Sequence, residues 1–473
     1  MSKDQIIAQK EAENAVLKAE LAYLRKMIFG SKSERYKSEL DVNQLNLFGQ
    51  QEQVDPSADL EGPKQQISYT RTNKKHPGRN KLPEHLPVDE VILEPEQSTE
   101  GLKQIGSEIT ETLKYTPASL VLVRTIRPKY QKVDGQGVLI APMPKRPIHK
   151  CIAEGSLLSH IMVSKFVDHL PFYRQIKRFK RDFDWQVSSS TINDWFVACC
   201  TLLKPVYDQM VNQIRASSYI QVDESPIKVL QSEKKKQTHQ GYQWVYVNPL
   251  NKTVVFNYRK GRGMQGPKEF LADYKGYLQC DGYTVYDKIG CKEGIELVGC
   301  LAHARRYFFE ALDNDKTKAN HALQVIGDIY DLERTWKPLS KEERYILRQE
   351  HIVPKLQSLK EWCEQQSITA LPKSRIGKAM RYFQNQYHKL IAVTYAGDLQ
   401  VDNNLVENMI RPLALGRKNY MFAGSHDAGQ RIAMMYSFFA TCKAKNMNPN
   451  DWLYNSLQTL ADSHFENFES LIP

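Results

Sequence analysis

At 473 residues the chain is too long for one ordinary domain, and length alone suggests about three. A formal charge of +11 favours a polyanionic partner; with no apolar leader and no run near 18 uncharged apolar residues, export and membrane contact are not expected. The eight cysteines form no CxxC pair and read as reduced, buried thiols of a soluble cytoplasmic protein, not as a disulfide framework.

From the N-terminus, Ile7, Lys10, Asn14, Leu17, Leu21, Leu24 and Ile28 alternate steps of three and four, a heptad pattern. It predicts a coiled coil over residues 1–36 that joins copies of the chain, a dimer in the simplest case; an amphipathic helix packed on its own protein is the alternative. Residues 37–81 lack periodicity and read as a linker ending in the basic run Arg71–Lys81. The Pro77-Gly78 turn there can lay Arg79 into a DNA minor groove, or the run is simply solvated.

Residues 82–150 predict a small strand-rich module. Residues 151–215 turn helical, with helices over Leu157–Phe166 and Phe172–Phe183 and a third capped by Ser188. The last two have helix-turn-helix spacing and carry Arg174, Lys177, Arg178, Lys180 and Arg181, which fits either a DNA reader or a helix pair packed only for structure.

The stretch Tyr219–Leu230 reads as a strand carrying Asp223, followed by strands Gly241–Val247 and Thr253–Tyr258 in an antiparallel meander. A helix within Gly261–Ala272 then precedes a strand that ends at Asp281. That crossover predicts a fourth strand beside the first, parallel to it and right-handed, with both aspartates at one edge of a mixed five-stranded sheet, the ribonuclease-H-like arrangement of an α/β core. A fifth strand, Glu296–Leu301, runs into His303, Arg305 and Arg306 at a helix start. Residues 315–400 read as a helical insertion.

Asp402 then caps a helix on which Asn403, Glu407 and Arg411 share a face, and Pro412 bends or ends it. The segment Gly416–Ser425, with Arg417 and Lys418 among aromatics and glycines, suits a phosphate backbone beside stacked bases, or is a turn with surface charges. Helices Arg431–Lys445 and Asp451–Asp462 follow. Two strands and a helix thus deliver Asp223, Asp281 and Glu407, a set suited to Mg²⁺, a hard cation that takes a few carboxylates and leaves substrate phosphate to complete its shell. Two such ions serve nuclease or strand-transfer chemistry.

Four passages carry a family resemblance: Val163–Gln175, Val222-Asp-Glu-Ser-Pro226, Leu301-Ala-His-Ala-Arg-Arg306, and Asp402 through Ser425. Together they resemble the transposases of the insertion sequence 66 family, within the DDE group, over nearly the whole chain. The resemblance implies Asp223, Asp281 and Glu407 as a triad holding two Mg²⁺, with Mn²⁺ an acceptable substitute. It implies double-stranded DNA as partner, both element ends and target, in a bacterial cytoplasm at the nucleoid, with accessory proteins of the same element as further candidates. His303, Arg305, Arg306, Asn403, Arg411, Arg417 and Lys418 would contact DNA in the core, and Arg174, Lys177, Arg178 and Arg79 outside it.

The family's second module carries paired cysteines, whereas 82–150 contains none, so no zinc is expected there. The organisation expected is coiled coil 1–36, linker 37–81, cysteine-free module 82–150, helical region 151–215, catalytic core 216–314 with 401–430, insertion 315–400 and C-terminal helices 431–473. A nuclease without strand transfer and a silent DNA-binding regulator are the competing readings.

Overall fold

A computed structural model describes residues 120–121, 129–131, 138–140, 145–231, 237–462 and 464–473. The expectations for the coiled coil, the linker with Arg79 and most of the 82–150 module lie outside the described residues. Of that module, strands β1 (Lys129–Gln131) and β2 (Val138–Ile140) form an antiparallel pair.

Three helices follow: α1 (Gly155–Phe166), α2 (Phe172–Phe183) and α3 (Ser189–Arg215). Ser188 caps α3 by accepting the Thr191 N–H at 2.9 Å, as its position before an apolar-periodic run predicts. Then come β3 (Tyr219–Val229), β4 (His239–Val247) and β5 (Val254–Arg259), β-branched and aromatic runs that pair antiparallel in sequence order. A short helix α4 (Gln265–Phe270) leads to β6 (Gly276–Gln279), which lies beside β3 and parallel to it. Helix α5 (Thr284–Gly290) and β7 (Ile295–Val298) complete a mixed sheet of order β5-β4-β3-β6-β7.

Helix α6 (Leu301–Glu310) leaves the sheet, and α7 (Lys316–Thr335), α8 (Lys341–Leu347), α9 (Val353–Ser367) and α10 (Arg375–Ile391) follow. Within the helical insertion a π-type turn at Arg348–Ile352 separates α8 from α9. Next are α11 (Asn404–Tyr420), α12 (His426–Ala444) and α13 (Pro449–Leu460). Pro412 does not end α11, so Gly416 to Tyr420, half of the segment Gly416–Ser425, is helix.

Helices α1 to α3, the sheet and α11 to α13 share one hydrophobic core, whereas α6 to α10 pack around a second. The outer strand β5 is covered by α12, whose hydroxyls replace a sixth strand. Thr441 Oγ1 accepts the Val254 N–H at 3.0 Å and Ser437 Oγ accepts the Phe256 N–H at 2.8 Å. Two hydroxyls one helical turn apart thereby satisfy an otherwise exposed sheet edge.

Candidate active site

The site begins with the register of the parallel pair. Gln221 on β3 lies opposite Gln279 on β6, and Asp223 and Asp281 each follow two residues later, so both carboxylates leave adjacent strands at the same row. Asp223 Oδ1 accepts the Glu224 N–H at 2.8 Å, and Asp281 Oδ1 accepts the Tyr283 N–H at 2.9 Å in an Asx turn. Strand alternation sends the next residue, Glu224, to the opposite face. There Arg262 at 2.7 Å and the Tyr286 hydroxyl at 2.7 Å hold its buried carboxylate, so Glu224 serves the fold.

Glu407 arrives from α11, whose start is fastened to the sheet by buried amides absent from the sequence reading. Gln221 Nε2 reaches Gln279 Oε1 at 2.8 Å, Gln400 Oε1 at 3.0 Å and the Asp402 carbonyl at 3.0 Å. Its Oε1 accepts the Val406 N–H at 3.3 Å, one residue before Glu407. Gln279 Nε2 donates to the Gln400 carbonyl at 2.7 Å and the Gly299 carbonyl at 3.1 Å.

The insertion holds the same segment from the other side. The fully buried Arg348 donates to the carbonyls of Val393, Ala396 and Leu399 and pairs with Glu333 at 2.6 Å. Tyr330 donates its hydroxyl to Asp402 Oδ2 at 2.9 Å. Asp402 does not cap α11 directly; Asn403 occupies the cap position, and Asp402 Oδ1 accepts the Asn404 N–H at 3.1 Å.

Burial raises the Asp223 carboxyl well above the usual carboxylate range, and the neighbouring charges of Glu224, Asp281 and Glu407 push it the same way. The three carboxylates therefore share one electrostatic neighbourhood. His303 Nε2 lies 3.7 Å from Glu407 Oε1. Burial and the Arg306 guanidinium hold His303 below the ordinary histidine value, while Asp281 opposes them. Beside these groups His303 Nδ1 and both amide atoms of Asn403 are buried without a hydrogen-bond partner among the described residues. Orphaned polar atoms next to crowded carboxylates mark a place for ordered water or a cation.

Among the described residues no three His, Cys, Asp or Glu side chains converge into a ready metal cage. The donor set nevertheless fits Mg²⁺: hard carboxylate oxygens that repel one another, few enough that water and phosphate must complete the shell.

Residues 150–431 match the family model described as Transposase IS66 family. The chain belongs to the IS66 transposase family. Residues 16–91 also match a model described as Transposase C of IS166 homeodomain. Similar proteins of Sinorhizobium fredii (strain NBRC 101917 / NGR234), themselves described as uncharacterized, include y4jD, 30% identical over 97% of this chain and 94% of its own length. Others are y4hP, 27% identical over 97% of this chain and 88% of its own, and y4qI, 28% identical over 96% and 87%.

The basic residues singled out in this IS66-family chain divide by what they touch. Arg411 and Lys418 are exposed on α11, and Arg305 and Arg306 are half-buried beside His303 on α6. Arg417, half-exposed, donates to Ser225 Oγ at 2.8 Å and to the Pro226 carbonyl at 2.5 Å, tying α11 to β3 just past Asp223. Asn403 is fully buried, its N–H donating to Cys300 Sγ at 3.5 Å. On α2, Arg174 and Lys177 are exposed and Arg178 lies 3.4 Å from Asp182. Helix α3 buries one face, from Ile192 to Ile214, in the core and exposes the other along its whole length, from Ser189, Ser190 and Asn193 to Lys204, Asp208 and Arg215.

Proposed function

We propose that this protein is a DDE transposase with a ribonuclease-H-like core, which binds the inverted-repeat ends of its element and catalyses DNA cleavage and strand transfer. The observation that carries this reading is the common row of Asp223 on β3 and Asp281 two residues past the end of the adjacent parallel β6, with Glu407 brought to it by the glutamine cluster. Those three side chains would hold two Mg²⁺ ions, or Mn²⁺ in their place. When bound, such ions lower the pKa of an attacking oxygen and stabilise the leaving one.

The chain's own groups do the rest. His303, whose proton affinity burial and Arg306 lower and whose Nε2 lies 3.7 Å from Glu407 Oε1, can relay a proton from the attacking water. Arg305, Arg306, Arg411 and Lys418 supply cations for the phosphates on either side of the scissile bond. Each displacement at phosphorus is in line, first by water and then by the freed 3′-hydroxyl, with no covalent protein intermediate. Copies associate through the N-terminal heptads, and Arg174, Lys177 and Arg178 contact DNA outside the core.

The test is Asp223→Asn on a labelled duplex bearing the element's inverted repeat. The variant should bind the end as wild type does and lose metal-dependent nicking by at least about a hundredfold, a few kcal/mol of transition-state stabilisation. Undiminished nicking removes Asp223 from the site. Nicking by wild type without joining makes the protein a nuclease, and binding without nicking makes it a regulator.

A further inference from the structure

The turn between α11 and α12 is held rigidly and yet presents apolar side chains to solvent. Met421 has φ 65° and ψ −41°, and the Phe422 N–H donates to the Tyr420 carbonyl at 2.8 Å across it. This is the rare, strained γ-turn, adopted here by a residue with a side chain. Both flanks are anchored. The Met421 N–H donates to the Arg417 carbonyl at 2.9 Å, while Ala423 exchanges hydrogen bonds with the end of β3, to Lys228 at 2.8 Å and from Leu230 at 2.9 Å. Met421 is nonetheless 66% exposed and Phe422 41%. Exposed Lys228 and Lys418 lie on the two flanking elements. Arg174 of α2 joins them by donating to Asn419 Oδ1 at 3.1 Å.

Two apolar side chains on a strained, doubly anchored turn flanked by cations match a wedge that enters a base step while the cations hold the phosphates on either side. We infer that Met421 and Phe422 unstack a base pair of the element end, an inference that rests on the transposase reading above. The turn hangs from β3, the strand of Asp223. Lys228 lies five residues beyond Asp223, about 17 Å of strand. At about 3.4 Å per nucleotide that places the opened step on the order of five base pairs from the cleaved phosphate.

The experiment scans 2-aminopurine through the terminal base pairs of the inverted-repeat duplex, using the full chain and the double variant Met421→Gly, Phe422→Ala. Glycine adopts the positive φ without strain, so the turn survives the loss of the side chain. With wild type, fluorescence should rise at one step near the expected position; with the variant it should not. Cleavage of the fully paired duplex by the variant should fall about tenfold, the scale of one base stack, and return to wild-type level on a duplex mismatched at that step. A merely structural defect is not rescued by a mismatch. Wild-type cleavage with no fluorescence change anywhere, or a variant that the mismatch does not rescue, overturns the wedge alone. Wild type that neither binds nor cuts any end duplex overturns the transposase reading and the wedge with it.

Discussion

Gln221 donates from Nε2 to Gln279 Oε1 at 2.8 Å inside the sheet, two residues before each strand reaches its aspartate. The same side chain holds the Asp402 carbonyl and the Val406 N–H, so one buried amide sets the position of all three candidate ligands. Replacing Gln221 by Leu keeps the volume and strips those partners. Stability should fall by about 2–3 kcal/mol, the cost of stranding buried polar groups. Cleavage should fall further than the folded fraction does, read by urea denaturation alongside nicking at a temperature where the variant is folded.

Arg348 is a buried charge with one anionic partner, Glu333, and three carbonyl acceptors in the segment leading to α11. Arg348→Met should cost about 2–3 kcal/mol because it strands three buried carbonyls and leaves Glu333 with Arg344 alone, 3.1 Å away. A single variant within about 1 kcal/mol of wild type on chemical denaturation would mean that the insertion does not brace the α11 start.

Lys165 places its ammonium 3.6 Å from the Phe172 ring centroid, with Phe196 and Phe166 also near. Burial pulls it down to about 8. The folded protein therefore loses this proton before the unfolded chain does, and stability should rise as pH climbs from about 8 towards the ordinary lysine value of 10.5. Lys165→Met should flatten that rise in thermal melts taken across the window, and an unchanged slope would assign it to other groups.

The covered edge of the sheet gives a prediction on solubility. Thr441→Val and Ser437→Ala each leave a buried β5 N–H unsatisfied and should cost about 1–3 kcal/mol apiece. Together they should raise aggregation on mild heating, followed by light scattering, because a bare edge strand is a template for pairing.

The parts of the fold legible in the sequence were those with a period or a connection rule. Alternation marked β4 and β5, and the crossover through α4 placed β6 beside β3. What stayed hidden was polar and buried. Neither Gln221 nor Gln279 carries a signal of its own in the sequence, since only a partner such as Gln400, 179 residues away from Gln221, makes burying their amides favourable. Arg348 stands in the helical insertion with nothing in the sequence to mark it for burial, and its carbonyl partners Ala396 and Leu399 belong to a loop that sequence periodicity does not see. Pro412 misled in the other direction. A proline removes one N–H, yet Leu413 and Gly416 pack closely enough to carry α11 through it.

The most direct test of the account is a joining assay. The full chain, an inverted-repeat duplex labelled at its 3′-terminal strand, a supercoiled plasmid and Mg²⁺ are incubated, and label is followed from the end fragment into plasmid. The account predicts metal-dependent nicking at the element boundary followed by transfer of label, with both lost in Asp223→Asn, Asp281→Asn and Glu407→Gln. Label transfer that survives any one of these substitutions would contradict the assignment of the three carboxylates as the catalytic set.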